Sequence, residues 1–252
     1  MKKLAMIPAR YAATRFPFKL MQQLGDKTVI RHTYDNTVAT GLFDEVWVVT
    51  DDDIILEEIT RHGGQAIKSS KSHESGSDRI GEAIETLEGD VIVNVQGDEP
   101  FISYRQLANL LEVFKDENVQ VASLMKEITE TATLENPNIV KLLTDAKNNA
   151  LYFSRSVIPY VRDAGAGAIH YEHVGVYAYR RDALINFTRL PAAPAEKAEM
   201  LEQLRYLYNG IKIKMVETTE AAIKIDVPGD LAIAEKYLPL YNAKKNQHGK
   251  FI

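Results

Sequence analysis

Val91-Ile92-Val93-Asn94-Val95-Gln96-Gly97-Asp98-Glu99-Pro100 runs from an apolar, β-branched segment straight into an amide, a glycine and two acids. Apolar residues at nearly every position, without alternation, suit a strand buried on both faces, as in a parallel sheet covered by helices. Val46-Trp47-Val48-Val49 reads the same way. Working outward, residues 4–7, 45–50, 65–68 and 90–95 read as strands, and residues 29–40, 54–62, 78–87 and 104–115 carry helical periodicity. Strand and helix alternate, and right-handed crossovers turn that order into a doubly wound, mostly parallel α/β sheet. Ligands of such sheets bind at the carboxyl ends of the strands, so Asp98 falls where chemistry is expected.

The second half has a different texture. Strands at residues 119–127, 139–143, 150–153 and 174–179 crowd together, and a helix is expected at 195–208. This predicts a mixed C-terminal extension of the sheet rather than an independent domain. The chain is therefore read as a single domain over residues 1–240, with one part at about 1–118, another at about 119–240, and a polar tail at 241–252 that frays from residue 242. Residues 162–168, rich in glycine and alanine, read as a mobile loop.

Composition narrows the partners. The 252 residues are 45% hydrophobic and 26% charged, with a formal net charge of -5. An acidic balance argues against nucleic acid or an anionic membrane as main partner, since both need a concentrated basic face. Cysteine is absent, which removes disulfides, thiolate metal sites and a cysteine nucleophile. The first residues are too poor in apolar side chains for a signal peptide, and no run approaches the roughly 18 apolar residues of a membrane span. A cytoplasmic protein is expected.

Four stretches carry candidate chemistry. The loop Pro8-Ala9-Arg10-Tyr11-Ala12-Ala13-Thr14-Arg15-Phe16-Pro17-Phe18-Lys19 places Arg10, Arg15 and Lys19 after the first strand. Guanidinium forks and an ammonium there suit a triphosphate, although the glycines of a Walker or dinucleotide loop are missing. At Asp98 a carboxylate could hold Mg²⁺ against substrate phosphates, while the amide of Gln96 could read a base edge. In Lys224-Ile225-Asp226-Val227-Pro228-Gly229-Asp230, Asp226 is either a second metal ligand or a helix cap. His73-Glu74-Ser75-Gly76-Ser77-Asp78-Arg79 enters a helix with Ser77 as the expected N-cap; Ser75, Gly76 and Arg79 could cradle part of a nucleotide. The run Asp51-Asp52-Asp53 is like the metal-binding acids of glycosyltransferases, but its place between strand and helix favours capping.

Together, I-P-A-R-Y-A-A-T-R-F-P, H-E-S-G-S-D-R, V-N-V-Q-G-D-E-P, A-L-Y-F-S-R-S-V-I-P, H-V-G-V-Y-A-Y-R and M-L-E-Q-L-R, in this order, resemble the CMP-Kdo synthetases, the 3-deoxy-manno-octulosonate cytidylyltransferases. The resemblance implies a nucleotide-diphospho-sugar-transferase type fold, a homodimer, and transfer of CMP from CTP to the eight-carbon acid sugar Kdo for lipopolysaccharide biosynthesis, with release of pyrophosphate. It implies that Arg10 and Lys19 face the CTP phosphates, that Gln96 and Arg79 lie near the nucleotide, and that Asp98 and Asp226 hold magnesium. His173, Tyr177, Glu202 and Gln203 would look toward the sugar acid, in the part at about 119–240 that would also dimerise. Two departures stand out. Phe18 replaces a glycine usual beside the phosphate site, and Val227 and Gly229 replace a hydroxyl and an acid beside Asp226. Alternatives are an 8-amino-Kdo or other ulosonic acid substrate, a glycosyltransferase built on Asp51 to Asp53, and a non-catalytic nucleotide sensor.

Overall fold

The computed structural model describes residues 1–11, 16–70, 73, 75–220 and 223–247. In chain order these form β1 (Lys3–Ala9), β2 (Gln23–Leu24), β3 (Lys27–Thr28), α1 (Val29–Ala39), β4 (Glu45–Thr50), α2 (Asp53–Arg61), β5 (Ala66–Lys68), α3 (Gly76–Ile84), β6 (Val91–Asn94) and α4 (Tyr104–Glu112). There follow β7 (Val121–Glu127), α5 (Thr131–Glu135), β8 (Lys141–Thr144), β9 (Ala150–Ser154), β10 (Tyr171–Arg180), α6 (Arg181–Thr188), α7 (Pro194–Glu199), α8 (Leu204–Tyr208), β11 (Ile213–Glu217) and α9 (Pro228–Gln247). The fold is mixed α/β with a mostly parallel central sheet, and the chain divides into two compact units: Met1–Ala108 with the described part of Ala221–Ile252, and Asn109–Glu220.

In the first unit the strands lie in the order β5-β4-β1-β6, all parallel, with Met6 opposite Trp47 and Lys3 opposite Val91. The unalternated apolar runs explain this: Leu4, Met6, Ile7, Val48, Val49, Ile92 and Val93 are fully buried, so helices must cover both faces. The expected β-strand at 45–50 and the helices after it appear where the periodicity placed them. α1 is fastened by more than its apolar stripe. Thr28 caps it, accepting from the Arg31 amide, while Thr33 and Asn36 bury their polar ends against the loop after β6. The N-cap of α3 is Ser75, which accepts from the Asp78 amide; Ser77, the expected cap, is already inside the helix and buried.

In the second unit β7 lies between β11, parallel to it, and β10, antiparallel. β8 pairs with β10 and with β9, both antiparallel. This is the expected mixed texture. Local features also differ from the sequence reading. The single helix expected at 195–208 is two short ones, α7 and α8, interrupted at Met200, whose φ of 53° and ψ of 49° are left-handed. The glycine-alanine segment contains a 3-10 turn, Ala164–Ala166, entered through the Asp163 side chain. α9 continues to Gln247 rather than fraying at 242.

Candidate active site

The site in the first unit is a cleft of about 290 Å³ at the carboxyl ends of β1 and β6. Its walls include Arg10, Lys19, Ser75, Gly76, Arg79, Gln96, Asp98, Lys224 and Asp226. Every described residue that the sequence assigned to the nucleotide or the metal therefore faces one space; Arg15 lies outside the described residues. Lys19, on the 3-10 turn Lys19–Met21, donates from Nζ to Asp98 Oδ2 at 2.6 Å and to Asp226 Oδ1 at 3.0 Å. The two aspartates thus converge on one point although distant in sequence.

Several main-chain contacts build this convergence. Gly97 lets the chain pass close under β1: a Cβ there would stand 3.1 Å from the Pro8 carbonyl oxygen. Gly76 makes a similar approach to the Pro8 ring, at 3.2 Å. The Thr33 hydroxyl donates to the Gly97 carbonyl at 2.9 Å, and the Asn36 amide donates to the Pro100 carbonyl at 2.7 Å. These two bonds clamp the loop carrying Asp98 onto α1. The Ile225 amide donates to the Asp98 carbonyl at 2.9 Å, which delivers Asp226 to the same spot. Asp226 is not the helix cap. Asp230 reaches back from the first turn of α9 and accepts from the Asp226 and Val227 amides at 2.8 and 2.9 Å, leaving the Asp226 carboxylate for Lys19.

Charge in the cleft is unequal in mobility. The Arg79 side chain is nearly buried, donating to the Ala9 carbonyl at 2.9 Å and to Asp51 Oδ2 at 2.8 Å. That guanidinium holds the Asp51 carboxyl below the usual carboxylate range. Asp52 caps α2 and Asp53 pairs with Lys68, so each acid of the run Asp51 to Asp53 has a structural partner, which argues against the glycosyltransferase alternative. Arg10 stands exposed at the rim. Lys224, overlooked in the sequence as a ligand, brings its ammonium to 3.8 Å from Asp98 Oδ2. Glu99 is half-buried, and loss of solvent, followed by the charge of Asp98, raises its carboxyl to about 7. Under the cleft, burial pushes the Glu82 carboxyl up, but hydrogen bonds from Ser70 and His73 prevail and bring it to about 2.

Of the residues expected to meet the sugar acid, His173 and Tyr177 pack together within the second unit. A bulge between Val174 and Tyr177 in the pairing of β10 with β7 sets His173 opposite Met125 and Tyr177 opposite Ser123. A regular strand would separate residues four apart by roughly 13 Å; here the two rings are 5.2 Å apart. The Ser123 hydroxyl donates to the Val176 carbonyl at 2.9 Å and is hydrogen-bonded to His173 Nε2 at the same distance. Burial lowers His173 to about 4, so the ring is neutral. Burial, then the Tyr179 and Glu202 charges, raises the Tyr177 hydroxyl well above its ordinary value. Gln203 is buried. The motif Ser154-Arg155, which had no partner legible in sequence, is bound to Glu199: the Ser154 hydroxyl donates at 2.7 Å, the Arg155 amide at 2.9 Å, and Arg155 Nε donates to the Glu199 carbonyl at 2.8 Å.

Comparison with known proteins fits this arrangement. The family model described as Cytidylyltransferase matches residues 4–213. A protein of Flavobacterium johnsoniae named 3-deoxy-manno-octulosonate cytidylyltransferase is 55% identical over 241 residues, covering 94% of this chain and 99% of its own. A protein of the same name from Bacteroides thetaiotaomicron is 45% identical, with 94% and 98% covered. Among solved structures, CMP:2-keto-3-deoxy-manno-octonic acid synthetase complexed with CTP superposes with a TM-score of 0.91 at 39% identity, covering 95% of this chain and 99% of that one. The 4-diphosphocytidyl-2C-methyl-D-erythritol synthase of Anaerococcus prevotii, at 16% identity and a TM-score of 0.62, shares the fold. With 55% and 45% identity over nearly the full length of both chains, the chain belongs to the 3-deoxy-manno-octulosonate cytidylyltransferase family.

Proposed function

We propose that this chain transfers CMP from CTP to the anomeric hydroxyl of 3-deoxy-D-manno-octulosonate and releases pyrophosphate. The observation that carries the reading is the convergence of Asp98 and Asp226 on one cation, 2.6 and 3.0 Å away, in a basic cleft at the ends of parallel strands. The names of the relatives support the substrates.

The carboxylate pair suits Mg²⁺. Its donors are all oxygen, and Asp98 Oδ1 is buried without a hydrogen-bond partner, a cost that a hard cation would relieve. Asp98 and Asp226 would hold the ion, which would supply charge neutralisation on the phosphates and make the attacking hydroxyl easier to deprotonate. The protein's own work is placement. Arg10 and Lys19 take phosphate oxygens, the Gln96 amide faces the base, and the amides and hydroxyl at Ser75 and Gly76 line the nucleotide's side of the cleft. Neutral His173, the Tyr177 hydroxyl, Glu202 and Gln203 offer polar contacts to the sugar acid. A bond from the anomeric oxygen to the α-phosphorus forms as the bond to the bridging oxygen of the pyrophosphate breaks, and positioning with charge stabilisation carries the rate.

A homodimer fits the apolar side chains exposed on the second unit, among them Leu151, Tyr160 and Ile169, of which Tyr160 is 87% exposed. Cytoplasmic residence fits the supply of CTP; among the described residues no helix is long and apolar enough to cross a membrane. The test is pyrophosphate release with CTP, Mg²⁺ and Kdo, beside 8-amino-Kdo and other ulosonic acids. Kdo is expected to give the highest kcat/KM. Preference for another acid reassigns the sugar, binding of CTP without turnover indicates a sensor, and a nucleoside diphosphate product would sink nucleotidyl transfer.

A further inference from the structure

We infer that Lys19 is a stand-in cation: its ammonium sits where Asp98 and Asp226 converge, and the nucleotide's phosphates must draw it away before a divalent ion is held there. This rests on reading that carboxylate pair as the magnesium ligands. Two carboxylates aimed at one point repel each other unless a positive charge lies between them. Lys19 Nζ supplies it, at 2.6 Å from one and 3.0 Å from the other. A magnesium ion would stand at about 2.0–2.1 Å from the same oxygens. Ion and ammonium would then crowd into one place with like charge, so they exclude each other.

Arg79 and Lys224 do not share this role. Arg79 is tied to the Ala9 carbonyl and to Asp51, and its guanidinium cannot leave without stranding both. Lys224 stands farther off, 3.8 Å from Asp98 Oδ2, with a side chain 46% exposed. Lys19 bridges the pair, and its side chain is 16% exposed. Its backbone is anchored by buried Leu20 and the 3-10 turn, while four methylenes let the ammonium swing. A triphosphate entering the cleft offers that ammonium new partners and simultaneously frees the carboxylates. Metal and nucleotide should therefore bind with positive coupling, and metal alone should bind weakly.

The experiment titrates Mn²⁺, followed by its electron paramagnetic resonance signal, into the protein without nucleotide. Lys19→Met and Lys19→Gln, two ways of removing the charge, are each expected to bind Mn²⁺ at least about fivefold more tightly than wild type, within the usual range of such coupling. Lys19→Arg, which keeps the charge, should bind as weakly as wild type. Adding Asp98→Asn to Lys19→Met should abolish the gain. Equal affinity in wild type and both charge-removing variants overturns the inference, and so does a gain that survives Asp98→Asn. The underlying reading is checked separately with CTP present: if Asp98→Asn does not weaken Mn²⁺ binding there, the metal assignment falls and the inference with it. If it does weaken binding while Lys19→Met leaves the nucleotide-free affinity unchanged, only the stand-in role is lost.

Discussion

Phe18 holds a left-handed backbone, φ 56° and ψ 26°, at the entry to the turn that carries Lys19. That conformation costs a Cβ-bearing residue about 1–2 kcal/mol, which suits the glycine that the resemblance leads one to expect there. The ring repays part of this by packing at 4.4 Å on Tyr11, outside the cleft, so the bulky side chain is accommodated without filling the phosphate side. Phe18→Gly relieves backbone strain, loses the ring contact and loosens the unfolded chain, and the three nearly cancel. Its urea-derived stability should stay within about 1 kcal/mol of wild type. Phe18→Val puts a β-branched residue in the same conformation and should be the less stable of the two. A loss above about 2 kcal/mol for the glycine variant would show that the Tyr11 contact, not the backbone, dominates. Asp98→Asn tests the chemistry at the neighbouring position. It keeps the shape and the Ile225 contact to the main chain but halves the carboxylate pair, so CTP binding by calorimetry should persist while kcat falls by about a hundredfold or more. Wild-type turnover at saturating Mg²⁺ would remove Asp98 from the metal.

The short helices α7 and α8 show where sequence patterning stops being informative. Apolar spacing continues through Met200, Leu201 and Leu204, so periodicity alone joins them into one helix. The break is imposed from elsewhere. Both oxygens of the Glu199 carboxylate and its carbonyl are taken by Ser154 and Arg155, and the chain then reverses at left-handed Met200 to present Glu202 and Gln203. By contrast, β4 and β6 were legible because burial on both faces leaves an unalternated apolar run that few other elements produce. Thr33 and Asn36 were not, since a buried polar residue on a helix looks like an exposed one until its partner is known. The same tertiary origin makes Glu199 testable. Glu199→Ala leaves the buried Ser154 hydroxyl and the Arg155 amide without their acceptor, which should destabilise by about 1–3 kcal/mol. Because the freed segment leads into Glu202 and Gln203, KM for the acid sugar should rise several-fold while KM for CTP, whose proposed site lies in the other unit, stays put. A parallel rise in both constants would mean a general loss of structure.

At the scale of the whole chain the two units carry their pH sensitivity in different groups. In the second unit His173 is held near 4 by burial, against 6.5 when exposed. Between those values the unfolded chain takes up a proton that the folded one refuses, so stability is complete above 6.5 and declines as pH falls toward 4, by roughly 1–3 kcal/mol across the window. In the first unit Glu82 is held near 2, against 4.5. Its contribution is intact above 4.5 and is lost only as pH falls toward 2. Burial lowers His32 of the first unit in the same direction but less far than His173, and Glu99 there gains stability as pH falls below 7, so acid should loosen the second unit first. The sole tryptophan, Trp47 in β4, reports on the first unit, whereas Tyr171, Tyr177, Tyr179 and Tyr206 lie in the second. On acid titration the near-ultraviolet tyrosine dichroism is expected to fall between pH 6 and 4, ahead of any change in Trp47 fluorescence, and His173→Phe should flatten that early phase while leaving the later one in place. Coincident transitions at every pH would show that the units unfold as one cooperative body and that neither group sets the order.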